Sequence, residues 1–100
     1  MVKRTIVWTR RAEEELISVL KYYNQRNQSN KYSLKILSDI ERKSNLLISY
    51  PEIGRIADNK KSRVIVFEYF LLFYEVLQTS IVVLSFWDSR QDPDKRIDSN

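Results

Sequence analysis

Read from the N-terminus, the chain changes its hydrophobic period twice. Thr5-Ile6-Val7-Trp8 is a β-branched and aromatic run that predicts a short strand, and Thr9 behind it offers a hydroxyl as a helix N-cap. The apolar residues Ala12, Leu16, Val19, Leu20 and Tyr23 then fall at i, i+4, i+7, i+8 and i+11, the single stripe of an amphipathic helix. Glu13, Glu14 and Glu15 sit in its early turns, where the positive end of the helix dipole favours carboxylates. The polar stretch Asn24 to Asn30 breaks the pattern. Ser29 or Asn30 can cap a second helix carrying Leu34, Leu37, Ile40 and Leu47 on one face, with Ile36 and Ile48 beside it, and Pro51 stops it. Two helices joined by so short a turn fold back as an antiparallel hairpin.

From Pro51 to Lys61 the chain is polar, holds the only glycine, Gly54, and reads as a loop. Three β-rich runs follow, Arg63 to Phe67, Phe70 to Val76 and Ile81 to Trp87, separated by Glu68-Tyr69 and by Leu77 to Ser80. Connections this short make the three strands an antiparallel meander. The order β-α-α-β-β-β predicts an α+β fold with the helix hairpin packed on one face of the meander sheet. The stretch 91–100 reads as a polar tail that frays at its end.

Composition supports one folded domain over residues 1–100. At 43% hydrophobic and 12% aromatic, the chain lies outside the regime that keeps polypeptides disordered, and a chain of this length closes a single core without staples. Seventeen Lys and Arg against thirteen Asp and Glu leave a net charge of +4, which favours an acidic or polyanionic partner. Cysteine is absent, so disulfides and thiolate metal sites are excluded and a reducing compartment fits. No apolar run reaches the roughly 18 residues of a membrane span, and no signal-peptide core follows the basic start. The chain is therefore expected to be soluble and cytoplasmic, without membrane, metal or cofactor.

Chemistry is sparse. Without His the usual general base near neutral pH is missing, and no HExxH, Walker or dinucleotide-binding pattern occurs. Any catalysis falls to Glu, Asp, Lys, Arg or Tyr. Lys60, Lys61 and Arg63 cluster at the start of the first meander strand, with Arg55 before them and Arg90 just past the last strand. The reading puts the start of the first strand and the end of the third at one end of the sheet, so that Arg63 and Arg90 share a positive face. On it, Arg55, Lys60, Lys61, Arg63 and Arg90 are candidates for contacting a target or phosphate, and Lys61, Arg63, Glu75 and Arg90 are candidates for catalysis. Solvated charges flanking strands are the plainer reading of the same residues. Tyr74, between Phe73 and Glu75, reads as a packed residue rather than a proton donor.

Four segments carry a family resemblance: Ile6 to Leu16, Tyr50-Pro51-Glu52-Ile53-Gly54-Arg55, Leu72-Phe73-Tyr74-Glu75-Val76, and Phe86 to Pro93. In this order and spacing the chain resembles the RelE/ParE toxin superfamily of type II toxin–antitoxin systems, in particular plasmid-stabilisation toxins. The resemblance implies a growth-inhibiting toxin in a hetero-oligomer with an acidic antitoxin that neutralises it. RelE-like members are mRNA interferases, cleaving messenger RNA on the ribosome; ParE-like members are DNA gyrase inhibitors. The nuclease branch fits poorly, because its strand Arg falls on Leu71 and its alternating Lys positions fall on Ser62 and Val64. Arg63 opening the first meander strand and Arg90 after the last match the ParE-like pattern. Ribosome-dependent mRNA cleavage is the alternative, and a decayed toxin that retains only antitoxin binding is a further one.

Overall fold

A computed structural model describes residues 3–99. Strand β1 (Thr5–Trp8) leads into helix α1 (Arg10–Asn27), helix α2 (Lys31–Ser49) returns, and strands β2 (Arg55–Ile56), β3 (Arg63–Phe67), β4 (Phe70–Val76) and β5 (Ser80–Asp88) follow, with a 3-10 turn at Pro93–Lys95. The Thr9 hydroxyl accepts from the Ala12 N–H at 3.1 Å, as an N-cap should. Helix α1 runs three residues past Asn24 and ends at Gln28 in the left-handed conformation, its N–H donating to the Asn24 carbonyl. Asn30 occupies the N-cap of α2, while the Ser29 hydroxyl accepts from the Lys31 N–H.

The α1 stripe faces the sheet as its spacing predicts: Ala12, Val19 and Tyr23 are buried and Leu16 and Leu20 pack beside them. Helix α2 is rotated from expectation. Its buried line is Ser33, Ile36, Ile40 and Leu47, whereas Leu34 and Leu37 are 57% and 40% exposed. The cause is Ser33, whose small side chain lets the helices approach and donates to the Leu20 carbonyl at 3.1 Å and to Asn24 Oδ1 at 2.6 Å. With Ser33 facing α1, the 100° per residue of a helix carries residues 36 and 40 inward and turns 34 and 37 aside.

The antiparallel meander of three strands forms as expected, and the sheet is larger than the meander. Its order is β1-β5-β4-β3-β2, with β1 parallel to β5 and the short β2, inside the stretch read as loop, antiparallel to β3. A bulge in β5 leaves Leu84 unopposed, because Phe73 pairs with Ser85 but Tyr74 with Val83. Alternation thereby changes phase: Ile81, Val83 and Phe86 join the helix-side core, and Trp87 turns to the other face. The Glu15 carboxylate closes the bulge, its Oε1 accepting from Ser85 Oγ at 2.7 Å and from the Phe86 N–H at 3.2 Å.

The far face of the sheet is covered too. Ala57, Val64, Leu71, Phe73 and Trp87 are buried there, with Leu84 and Ile97 against them. The polar tail does not fray before its last described residues. The Arg96 guanidinium lies 5.7 Å from the Phe73 ring and pairs with the buried Asp98 at 2.6 Å, so polar residues 96 and 98 dock as a partly buried ion pair.

Candidate functional site

The sequence-predicted cations do not converge. In a meander the first and third strands run the same way, so the start of β3 and the end of β5 lie at opposite ends of the sheet. Arg63 is level with Tyr74 and Val83, whereas Asp88, two residues before Arg90, is level with Phe70 and with Phe67 at the far end of β3. The five-residue step from Val83 to Asp88 separates the two levels by about 17 Å. The shared Arg63–Arg90 face is thus corrected to two separate ends.

At the first end, Arg63 and Tyr74 hold the loop after α2. Arg63 Nη1 donates to the carbonyls of Gly54, at 2.8 Å, and Glu52, at 3.2 Å. The Tyr74 hydroxyl accepts from the Gly54 N–H and donates to the Pro51 carbonyl, both at 2.8 Å. Burial pushes the Tyr74 phenol above its ordinary value. A side chain at position 54 would collide, because a Cβ there would lie 2.6 Å from the Tyr74 hydroxyl and 2.9 Å from the Val64 carbonyl oxygen. Gly54 is therefore required by close approach. Arg55, Lys60 and Lys61 project from the β2–β3 hairpin beside this end, where Asn59 Oδ1 accepts from the N–H groups of Lys61 and Ser62. Glu75 is exposed on the strand face opposite Tyr74. Lys61, Arg63, Glu75 and Arg90 thus form no common constellation.

The second end is a cleft of about 690 Å3 lined by Tyr23, Arg26, Asn27, Tyr32, Glu68, Tyr69 and Arg90. Arg90 is fixed in it. Its Nε and Nη2 donate to the two Asp88 oxygens at 3.0 and 2.8 Å, and the guanidinium lies 4.4 Å from the Tyr69 ring centroid and 5.6 Å from that of Tyr23. Glu68 occupies the β3–β4 turn with φ of 54°, a left-handed position that its partners compensate: Lys35 pairs with its carboxylate and the Tyr32 hydroxyl donates to it at 3.1 Å. Burial, and then the bond to Glu68, push the Tyr32 phenol up to about 12. Lys35, outside the cleft, thereby pairs with its one carboxylate, Glu68, and Arg90 with the neighbouring Asp88, while Arg26 pairs with no carboxylate among the described residues.

Residues 6–93 match the family model of the ParE toxin of the type II toxin–antitoxin system, parDE. The chain belongs to the ParE toxin family. Among solved structures, a chain of the chromosomal ParDE TA system from P. aeruginosa superposes with a TM-score of 0.72 at 22% identity, covering 84% of this chain and 94% of that one. This likeness establishes the fold, two helices on a five-stranded mixed sheet. No curated protein matches in sequence.

In this ParE toxin, Arg90 is the only one of the sequence-predicted cations in the second cleft. Tyr23 was legible only as part of the α1 stripe, and Arg26, Asn27, Tyr32 and Tyr69 carried no signal, since α1, α2 and the β3–β4 turn meet only in three dimensions. Trp87 is buried on the far face, and its indole Nε1 has no hydrogen-bond partner among the described residues. No helix among the described residues is long and apolar enough to cross a membrane.

Proposed function

We propose that this ParE toxin is a cytoplasmic growth inhibitor that acts on DNA gyrase through protein contact and is neutralised by binding an acidic antitoxin. The observation that carries this reading is the dispersal of the cationic candidates. Phosphoryl transfer needs its charge partners within hydrogen-bond reach of one reacting phosphate. Arg63 is instead committed to two backbone carbonyls, and Arg90, at the other end of the sheet, to Asp88. The far sheet face supports the same reading. Leu71, where the nuclease branch has a strand Arg, is buried beside Val64, Phe73 and Trp87. A dry apolar surface cannot stabilise the charge of a phosphorane.

The test is induction of this chain alone in a bacterial host, with plasmid supercoiling and messenger integrity followed after growth stops. Loss of negative supercoiling with intact messages is the expected result, and co-expression of the antitoxin restores growth. Rapid message cleavage with normal supercoiling would overturn the reading in favour of a ribosome-dependent nuclease. Continued growth without antitoxin would favour a decayed toxin.

A further inference from the structure

Residues 92–99 lie against the far face of the sheet without joining it. Their backbone bonds close on themselves: the Lys95 N–H donates to the Asp92 carbonyl, that of Arg96 to Pro93 and that of Ser99 to Arg96. Among the described residues, no backbone–backbone hydrogen bond ties this segment to a strand or helix. Residues 89–95 are exposed, so the docked tip reaches the face on a solvated arm, touched by one exposed bond from Arg11 Nη2 to the Lys95 carbonyl at 3.4 Å. Three side chains hold the tip. The Arg96 guanidinium lies over the Phe73 ring, Ile97 packs against the cluster of Val64, Leu71, Phe73 and Trp87, and Asp98 Oδ2 accepts from the Asp58 N–H at 3.4 Å.

The charges of the tip are balanced within it. Arg96 Nε and Nη2 donate to the two Asp98 oxygens at 2.9 and 2.6 Å, and the Asp98 side chain is 1% exposed. A buried carboxylate ordinarily locks a segment in place, because pulling it from its partner leaves an unpaired charge in the interior. Here the counter-ion departs with the carboxylate. The body keeps only the Asp58 N–H, which water can take up, and the Asp58 carboxylate, 3.7 Å from Arg96 and 77% exposed already. Lifting the tip therefore costs the burial of Ile97 and the contact of Arg96 with Phe73, a small part of what holds the domain together. Segments attached in this way open on their own, well short of global unfolding.

We propose that residues 92–99 form a strap that lifts from the sheet as a unit while the rest of the fold stays closed, baring an apolar face made of Val64, Leu71, Phe73 and Trp87. Val66, two residues beyond Val64 on the same side of β3 and 54% exposed, extends that face. The strap thus sets how much apolar surface the toxin shows, whatever the toxin acts on. Trp87 supplies a direct report of its position. The indole Nε1–H has no hydrogen-bond partner among the described residues, so burial alone shields it from solvent.

The experiment is hydrogen exchange of the full chain followed by nuclear magnetic resonance, in buffer and in urea below the unfolding transition. The Asp58 amide and the Trp87 indole report on the strap, and the Leu72 and Ile81 amides, on central strands and 0% exposed, report on the whole fold. The expected result is protection at the two strap sites about a hundredfold or more below that at Leu72 and Ile81, and insensitive to urea where theirs falls steeply. Ile97→Ala and Arg96→Gln should each lower protection at both strap sites by about tenfold. Both variants should also raise the fluorescence of an added apolar dye while the far-ultraviolet circular dichroism stays unchanged. Strap sites that match Leu72 and Ile81 in protection and urea slope would overturn the proposal, since the segment would then unfold only with the whole domain. Variants that affect one strap site and spare the other, or a dye signal that stays at the wild-type level, would overturn it as well. Should a variant fail to fold, the wild-type comparison decides by itself.

Discussion

Substituting Tyr74 by Phe removes one oxygen and two hydrogen bonds, one to the Gly54 N–H and one to the Pro51 carbonyl. The ring keeps its place in the core, so no cavity larger than the lost oxygen opens. The loss is therefore almost wholly one of hydrogen bonding. The donated bond is worth about 1 kcal/mol, and stranding the buried Gly54 N–H costs about 1–3 kcal/mol more. Arg63 cannot compensate, because it is itself a donor. The expected loss is about 2–4 kcal/mol, which for a domain of this size lowers Tm by roughly 10–20 °C. Denaturant unfolding measures the first figure and thermal melting the second. A more local readout is available because Gly54 is the only glycine in the chain. Glycine-selective 15N labelling gives a single resonance whose hydrogen exchange should accelerate in the variant. A change below about 0.5 kcal/mol, with unaltered Gly54 exchange, would refute the assignment of Tyr74 as the anchor of the loop. Gly54→Ala should destabilise by about 1–3 kcal/mol through collision with the same hydroxyl, and the double variant should fall short of the sum because the two changes act on one contact.

Arg63→Ala should cost about 1–2 kcal/mol by freeing the Glu52 and Gly54 carbonyls, measurable by urea unfolding; a toxicity defect with unchanged stability would instead point to direct action on the target. Glu15→Ala should lose about 2–3 kcal/mol, since both the buried Ser85 hydroxyl and the Phe86 N–H lose their acceptor, and a loss under 1 kcal/mol would mean that water replaces the carboxylate at the bulge. Ultraviolet titration should show a tyrosine ionising near pH 12 that is lost in Tyr32→Phe; because the folded-state value is the raised one, its contribution to stability is full below pH 10 and disappears as the pH climbs through about 12. For Asp98 the sign is opposite. The hydrogen bonds from Arg96 hold its carboxyl below the ordinary 3.8, so its contribution is full above that value and fades as the pH falls through the lower folded-state one. Asp98→Asn should accordingly melt below the wild type at pH 7 and match it in strong acid, and a gap independent of pH would show that the ion pair is not its source.

Periodicity settled most of the elements here. The α1 stripe, the Thr9 cap, Pro51 as a stop and the three meander strands depend on residues near one another in sequence, and those local patterns survive because the core buries the same stripes they define. The packed state of Tyr74 was legible for the same reason, although the partner of its hydroxyl was not. Other features depend on contacts that no local pattern encodes. The rotation of α2 followed from Ser33 meeting the backbone of α1 at Leu20, and the phase change in β5 from a bulge closed by Glu15, 70 positions earlier. The parallel pairing of β1 with β5 and the docking of Arg96 and Asp98 on the far face join segments whose own composition is indifferent to the match. The candidate site belongs to this second group. Sequence supplied the cations, but strand direction separated Arg63 from Arg90, and the meeting of α1, α2 and the β3–β4 turn gave Arg90 its tyrosines and Arg26 as neighbours. Local pattern fixes which face of each element is apolar; which polar groups then meet is decided by how those faces are brought together.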